Sequence, residues 1–170
     1  MINFFDISYL TFGNQRQKNT YSLLKEYRII DLLAEFDPIL VGTIPIEIDI
    51  ENSDIDIVCF APDRHRFSEI LNLHFSYFDH FNLSHNSKFE AVKANFYIDG
   101  QEVEIFGQGI PTTEQNGYKH MLIEYQLLIQ YGSDFRNKVI NLKKQGYKTE
   151  PAFAALLGLS GDPYEALLSL

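Results

Sequence analysis

Residues 40–60 read LVGTIPIEIDIENSDIDIVCF, and this stretch decides how the rest of the chain is interpreted. An apolar run ends at Gly42-Thr43, ten residues follow, and Asp54 and Asp56 then stand two positions apart in a second apolar run. Because residues i and i+2 of a β-strand share a face, the pattern predicts that both carboxylates point the same way. The alternate residues of this strand are predicted to enter a core through Ile55, Ile57 and Cys59.

The paired carboxylates require a compensating charge. Two acids on one face repel each other, and each is costly to remove from water without a partner. A divalent cation removes that cost, and hard cations such as Mg²⁺ prefer carboxylate oxygen. The spacing of Asp54 and Asp56 therefore favours a divalent-cation site on this strand.

The same stretch resembles the active-site signature of the polymerase-β-like nucleotidyltransferase superfamily. That signature is an apolar residue, Gly-Gly or Gly-Ser, a spacer, and then Asp-x-Asp or Asp-x-Glu on a strand. Thr43 stands at the second signature position and keeps the hydroxyl, whereas Ile-Pro-Ile replaces the Ala-Arg-Gly that often follows in small members. The whole chain also resembles a smaller bacterial family of uncharacterised nucleotidyltransferase-like domains, through the strings LVGTIPI, SDIDI, EIFGQ, KTEPAFA and GDPY.

The resemblance implies a third carboxylate on a later strand, beside the Asp-x-Asp strand. Residues 102–106 read EVEIF, with two acids on one face of a predicted strand. Glu104 is the better match because Ile105 and Phe106 follow it, and Glu102 is held in reserve. The resemblance thus implies two Mg²⁺ ions, with catalytic residues and metal ligands at Asp54, Asp56 and Glu104. The residues that it implies for nucleotide binding are Gly42, Thr43 and Ser53.

The activity that the resemblance implies is Mg²⁺-dependent transfer of a nucleoside monophosphate, with AMP from ATP as the first candidate. The expected acceptor is a hydroxyl of a small molecule or of a protein. Such transfer needs positioning and charge neutralisation rather than covalent help from the protein. An enzyme is the favoured interpretation, and two alternatives stay open. One is a catalytically degenerate binding or partner module, supported by Thr43 and the missing Arg, and the weaker one is a Mg²⁺-dependent phosphohydrolase.

Composition narrows the class of partner. The 170 residues predict one domain over 1–170, with a core over about 15–110 and a helical C-terminal part over about 112–170. A protein with a net charge of −9 is poorly suited to bind the negatively charged phosphate backbone, so a nucleic-acid acceptor is disfavoured. The single cysteine, Cys59, excludes an intramolecular disulfide. With no secretory signal, and no run near the roughly 18 apolar residues of a membrane span, we expect a cytoplasmic protein without a membrane partner.

Two rival metal sites fail on spacing. An EF-hand loop beginning at Asp49 needs Gly at its sixth position and Glu at its twelfth, where this chain has Asp54 and Phe60. His74, His80 and His85 lack the i, i+4 spacing of a helical zinc pair. Neither calcium nor zinc binding is therefore predicted at these residues.

Periodicity and turn residues predict an α+β fold, in which helices and a C-terminal run of short helices pack on a mixed sheet. Predicted helices cover residues 15–36, 64–78 after an Asp63 cap, 112–131 from a capping box, 133–145, and segments beginning at Thr149 and Asp162. Predicted strands cover residues 39–42, 89–98 and 102–106, with a type I′ turn at Asp99-Gly100 and an extended segment over residues 44–53.

Basic residues offer further candidates for a phosphate-binding site. A solvent-facing position is the commoner interpretation for any one of the four candidate lysines, which are Lys88, Lys93, Lys119 and Lys148. His120 follows the predicted capping box and either faces the cleft or is an ordinary helix histidine.

Overall fold

One mixed sheet forms the centre of the molecule. A computed structural model describes residues 2–87 and 90–170. The strands of the sheet are β1 (Ile39–Val41), β2 (Ile55–Phe60), β3 (Asp79–Asn86), β4 (Ala91–Ile98) and β5 (Gln101–Gln108). Their order is β1-β2-β5-β4-β3, with β2 and β5 parallel and the other neighbours antiparallel.

Helices cover both faces of this sheet. They are α1 (Gln15–Glu26), α2 (Ile29–Leu32), α3 (Arg64–Phe75), α4 (Asn116–Lys144), α5 (Thr149–Leu157) and α6 (Pro163–Leu168). Short 3₁₀ turns lie at Ile7–Phe12, Ala34–Phe36 and Thr112–Glu114. The predicted α+β class with a mixed sheet is confirmed. Within the described part of the chain, no helix combines the length and the apolar character needed to cross a membrane.

Each face of the sheet has its own core. On one face Ile55, Ile57 and Cys59 of β2 pack in a cluster that includes residues of α1 and α3. On the other face Val58 packs in a cluster that includes residues of α4, α5 and α6. The predicted alternation along β2 is therefore confirmed. Asp56 has the parity of Val58, so its carboxylate lies on the α4 side of the sheet.

Several predicted boundaries are confirmed by their local chemistry. Asp63 caps α3 by accepting from two backbone N–H groups, and Asp162 caps α6 in the same way. Gly158 ends α5 with a φ of 66°, in the left-handed region that favours glycine. Asp99 and Gly100 both have positive φ and join β4 to β5, as a type I′ turn requires.

Other predicted elements are corrected. The helix expected over residues 15–36 is broken at Arg28, which adopts a left-handed φ of 54°. The helix expected over residues 64–78 ends at Phe75, and the strand β3 that follows was missed. This strand lies at the sheet edge and is largely exposed, so it lacks the alternation that marks a half-buried strand. The strand predicted over residues 89–98 begins at Ala91, because Glu90 lies in a turn with a φ of 48°, and Phe89 lies outside the described residues.

The helical C-terminal part also differs in detail. The expected capping box at residues 112–115 is wrong: Thr112 donates to the Asp37 carbonyl, and α4 begins without a side-chain cap. The predicted break between residues 131 and 133 coincides with Gly132, whose φ of 78° and ψ of −167° interrupt α4.

The spacer between Thr43 and Asp54 is not the extended segment that its alternation predicts. Residues 44–47 form turns, and the backbone folds back on itself through a bond from Ile48 N to Thr43 O of 3.1 Å. Three of its isoleucines are buried, and they are Ile44, Ile46 and Ile48. The alternation therefore reflects a loop that inserts apolar side chains between helices rather than a strand.

Candidate active site

A cavity of about 710 Å³ opens between the sheet and the helices α4 and α5. Its sheet side is lined by residues that the sequence singled out: Gly42, Thr43, Ser53, Asp54, Asp56 and Glu104. Its helix side is lined by His120, Glu124, Lys143 and Glu150. The predicted site residues thus come together in one cavity, although they span more than sixty positions of the sequence.

The pairing of β2 with β5 brings the predicted carboxylates to one wall. Asp56 is the direct partner of Glu104 in the parallel register. Neighbouring strands lie about 4.8 Å apart, so residues in register project side by side from the same face. Glu102, the reserve candidate, accepts a bond of 3.0 Å from the Tyr97 hydroxyl and does not line the cavity. The register thus favours Glu104 over Glu102 as the third carboxylate.

Burial and neighbouring charges raise the pKa of both aspartates on this wall. Burial raises the pKa of Asp56 well above its usual range, and the charges of Asp54 and Glu104 add to the effect. Burial likewise raises the pKa of Asp54, with further contributions from Glu104 and Glu102. In the described part of the chain, neither aspartate has an ion-pair partner. A hard divalent cation fits this pair of donors because it would relieve both the desolvation and the repulsion.

The third carboxylate has partners of its own. Glu104 Oε2 accepts from Lys93 Nζ at 3.0 Å and from Asn95 Nδ2 at 3.1 Å. Over residues 2–87 and 90–170, no three His, Cys, Asp or Glu side chains are grouped closely enough to hold a metal ion. The roles of Asp54, Asp56 and Glu104 as metal ligands, and the presence of two ions, therefore stay predictions.

Gly42 and Thr43 form a tight turn against the aspartates. Gly42 has a φ of 78°, and a Cβ added there would collide with the Asp56 carboxylate. Thr43 Oγ1 donates to Ser53 Oγ at 3.3 Å, which joins the turn to the residue before Asp54. Only glycine combines this backbone conformation with this close approach.

Side chains on α1 and α4 donate hydrogen bonds to backbone carbonyls of the spacer loop, residues 44–53. Gln17 donates to the Ile44 and Pro45 carbonyls at 3.0 and 3.1 Å, Arg136 donates to the Ile46 carbonyl, and Lys143 donates to the Ile48 carbonyl at 2.8 Å. Arg16 donates to the Ser53 carbonyl at 2.6 Å. These bonds satisfy backbone acceptors that would otherwise be costly to bury, and they fix the loop beside the cavity.

The helix wall of the cavity carries charged groups that sequence reasoning missed or left undecided. Glu124 is only 3% exposed, and burial raises its pKa well above the usual range, with Glu150 adding to the effect and Lys143 opposing it. Burial lowers the pKa of Lys143. His120 Nε2 donates to the Tyr164 carbonyl at 3.0 Å, while Nδ1 lies 3.5 Å from Glu150 Oε1. His120 thus faces the cleft and also has a backbone partner.

The candidate lysines have different outcomes. Lys93 pairs with Glu104 and does not line the cavity. Lys119 and Lys148 are exposed and lie outside its lining, and Lys88 falls outside the described residues. Lys143 is the cavity-lining lysine, and its signal in the sequence is weak because it stands beside Lys144 near a helix end.

Solved structures with a similar fold are nucleotidyltransferases. Two structures of the Cid1 poly(U) polymerase, one with MgGTP bound and one of a mutant bound to MgATP, give TM-scores of 0.55 and 0.59, both at 12% identity. The aligned regions cover 77% and 85% of this chain, but only 42% and 49% of the two Cid1 chains. The polymerase core of the RNA surveillance complex TRAMP gives a TM-score of 0.50 at 13% identity, covering 95% of this chain and 50% of its own. The chain therefore has a fold similar to that of these nucleotidyltransferases and spans about half of their length or less.

The family follows from the sequence match. Residues 22–170 match the family model described as Domain of unknown function (DUF4269), so the chain belongs to that family. No curated protein matches the chain. The bacterial distribution expected of its family stays a prediction.

Proposed function

We propose that this protein is a Mg²⁺-dependent nucleotidyltransferase that moves a nucleoside monophosphate, AMP in the first instance, from a nucleoside triphosphate to a hydroxyl group. The observation that carries the proposal is the lining of one cavity by the Gly42-Thr43 turn and by Asp54, Asp56 and Glu104. The nucleotidyltransferase fold supports the same conclusion, and the Mg-bound nucleotides named in the Cid1 structures support the choice of ligand.

The reaction assigns a role to each residue. The acceptor oxygen forms a bond to the α-phosphorus as the bond from that phosphorus to the bridging β-oxygen breaks, and pyrophosphate leaves with the electron pair. Glu104 takes the acceptor proton, as a carboxylate within hydrogen-bond reach can. Asp54 and Asp56 would hold Mg²⁺, which neutralises charge developing on the phosphoryl oxygens when it is bound. Gly42, Thr43 and Ser53 would receive the phosphates, since a side-chain-free residue lets a triphosphate approach the backbone.

Isothermal titration of ATP in the presence of Mg²⁺ tests the proposal. We expect binding by the wild-type chain and its loss in the double variant Asp54→Asn, Asp56→Asn. Glu165→Gln is the control, because Glu165 is an exposed acid of α6 that does not line the cavity. Binding that survives the double substitution, or no binding at all, would contradict the proposal.

A binding module without turnover is the second candidate, and the pairing of Glu104 with Lys93 and Asn95 favours it. A carboxylate already neutralised by an ammonium group is a weaker metal ligand and a weaker base. Pyrophosphate release separates the two functions, because a degenerate module would bind Mg²⁺ and ATP without producing any. Release of orthophosphate instead would indicate a phosphohydrolase.

A further inference from the structure

Glu124 is a buried carboxyl group with an unmet hydrogen-bonding capacity. It lies on α4, lines the cavity, and is 3% exposed. Its Oε1 atom has no hydrogen-bond partner among the described residues. Leaving a buried polar atom without a partner is costly, so such an atom beside a cavity indicates a group that a ligand satisfies.

The nearby groups of the protein do not satisfy Glu124. Lys143 contributes a favourable charge, but its ammonium group donates to the Ile48 carbonyl at 2.8 Å and forms no ion pair with Glu124 within the described residues. His120 directs one ring nitrogen to the Tyr164 carbonyl and the other towards Glu150. Glu150 adds a second carboxylate to the same wall and is 20% exposed, so it is open to a ligand.

The acidic lining of the cavity favours a cationic group on the acceptor, beside a triphosphate whose charge Mg²⁺ would neutralise. Five acids line it, namely Asp54, Asp56, Glu104, Glu124 and Glu150. Lys143 is the only lysine or arginine among the described residues of the lining. A nucleic-acid acceptor would bring further phosphates into this field without basic side chains to bind them.

An ammonium group suits the helix wall better than a second metal ion does. A protonated amine offers three donors to separate acceptors, and two carboxylates on one wall can accept from it. Bonds between a charged donor and a carboxylate are also among the stronger hydrogen bonds.

We propose that Glu124 and Glu150 form a subsite for a protonated amino group, and that the acceptor of the transfer is a small alcohol bearing an amine. This inference rests on the proposed function for the transfer step, whereas the subsite itself is defined by the cavity alone. The amino group binds at the helix wall, and the hydroxyl group faces the aspartates across the cavity.

Matched pairs of small molecules test the subsite. D-glucosamine and D-glucose differ in one amino group, as do ethanolamine and ethylene glycol. Each compound is titrated calorimetrically into the full chain, with and without Mg²⁺ and a non-hydrolysable ATP analogue. Glu124→Gln and Glu150→Gln each replace a carboxyl group that can pair with an ammonium group by a neutral amide, and Glu165→Gln, an exposed glutamate on α6 outside the cavity, is the control.

We expect at least one amino compound to bind about tenfold or more tightly than its neutral counterpart, and either cavity substitution to remove most of that preference. Glu165→Gln should leave it unchanged. Equal binding within both pairs, or a preference that survives both cavity substitutions, would overturn the subsite even if Mg²⁺ and ATP bind normally. Extension of an RNA oligonucleotide by the chain would overturn it as well. Loss of nucleotide binding alone would contradict the proposed function and leave the amine preference to decide the subsite.

Discussion

Asp56 on β2 and Glu104 on β5 are direct partners in the parallel strand pair, and both side chains line one cavity. This relationship joins two motifs separated by almost fifty residues of sequence. It also concentrates negative charge at one edge of the cavity, and burial and mutual repulsion raise the pKa of Asp56 in consequence. A cation at this edge would therefore stabilise the fold as well as serve the proposed chemistry.

Gly42→Ala tests the close approach of the glycine turn to Asp56. The matched control is Gly100→Ala, because Gly100 has nearly the same φ of 77° but no atom within 4 Å of an added Cβ. The control should lose about 1–2 kcal/mol of unfolding free energy from the left-handed backbone alone. Gly42→Ala should lose more and should also weaken binding of ATP with Mg²⁺. Equal losses in urea unfolding would contradict the proposed role of the contact.

Lys93→Met tests whether Lys93 positions Glu104. The substitution removes the 3.0 Å bond to Glu104 Oε2 and leaves Asn95 as the remaining donor to that atom among the described residues. The substitution also frees Glu104 from a neutralising charge, but loss of a supporting partner typically costs about 10- to 100-fold in metal affinity or activity, so under the proposed function the loss of positioning is expected to dominate. We expect a loss of that size in pyrophosphate release, with the exposed Lys119→Met as control. If both variants turn over at the wild-type rate, Lys93 has no positioning role.

Lys143→Met tests the attachment of the spacer loop. It leaves the buried Ile48 carbonyl without its 2.8 Å donor, which we expect to destabilise the fold by about 1–3 kcal/mol in urea unfolding. It also removes a positive charge that opposes the raised pKa of Asp56 and Glu124. The neighbouring Lys144→Met is the control, since Lys144 is exposed. Similar stability of the two variants would show that the bond does not support the loop.

Glu124 predicts a pH dependence of stability. Its pKa is raised in the folded state, chiefly by burial. Between the unfolded and folded pKa the native protein binds more protons than the unfolded chain, so unfolding free energy falls as pH rises through this window. Glutamine cannot ionise, and Glu124→Gln should therefore gain stability relative to wild type as the pH rises above the usual range of a glutamate carboxyl group. Denaturant unfolding of both proteins in acid and at neutral pH checks the sign, and a difference that does not change with pH contradicts it.

The parts of the site that follow a local period could be predicted from the sequence. The i, i+2 spacing alone predicts that Asp54 and Asp56 share one face of their strand. The same period predicts that Glu102 and Glu104 share one face of theirs. The choice between the two glutamates is set by strand register, which the sequence does not encode locally.

The helix wall of the cavity could not be predicted for a different reason. Glu124 and Lys143 lie nineteen residues apart on α4, on either side of the break at Gly132. Helical periodicity does not tell which charged residue faces a cavity. Likewise, the fold of the spacer loop depends on donors such as Gln17 and Arg136 that are distant in sequence. The edge strand β3 was not predicted, because it is largely exposed and its sequence therefore lacks the alternation of apolar and polar residues.

A crystal structure with Mg²⁺ and a non-hydrolysable ATP analogue tests the central claim most directly. We predict a metal ion bound by Asp54 and Asp56, Glu104 beside it, and the triphosphate against the Gly42-Thr43 turn. A triphosphate bound outside this cavity, or a metal ion that contacts neither aspartate, would contradict the account.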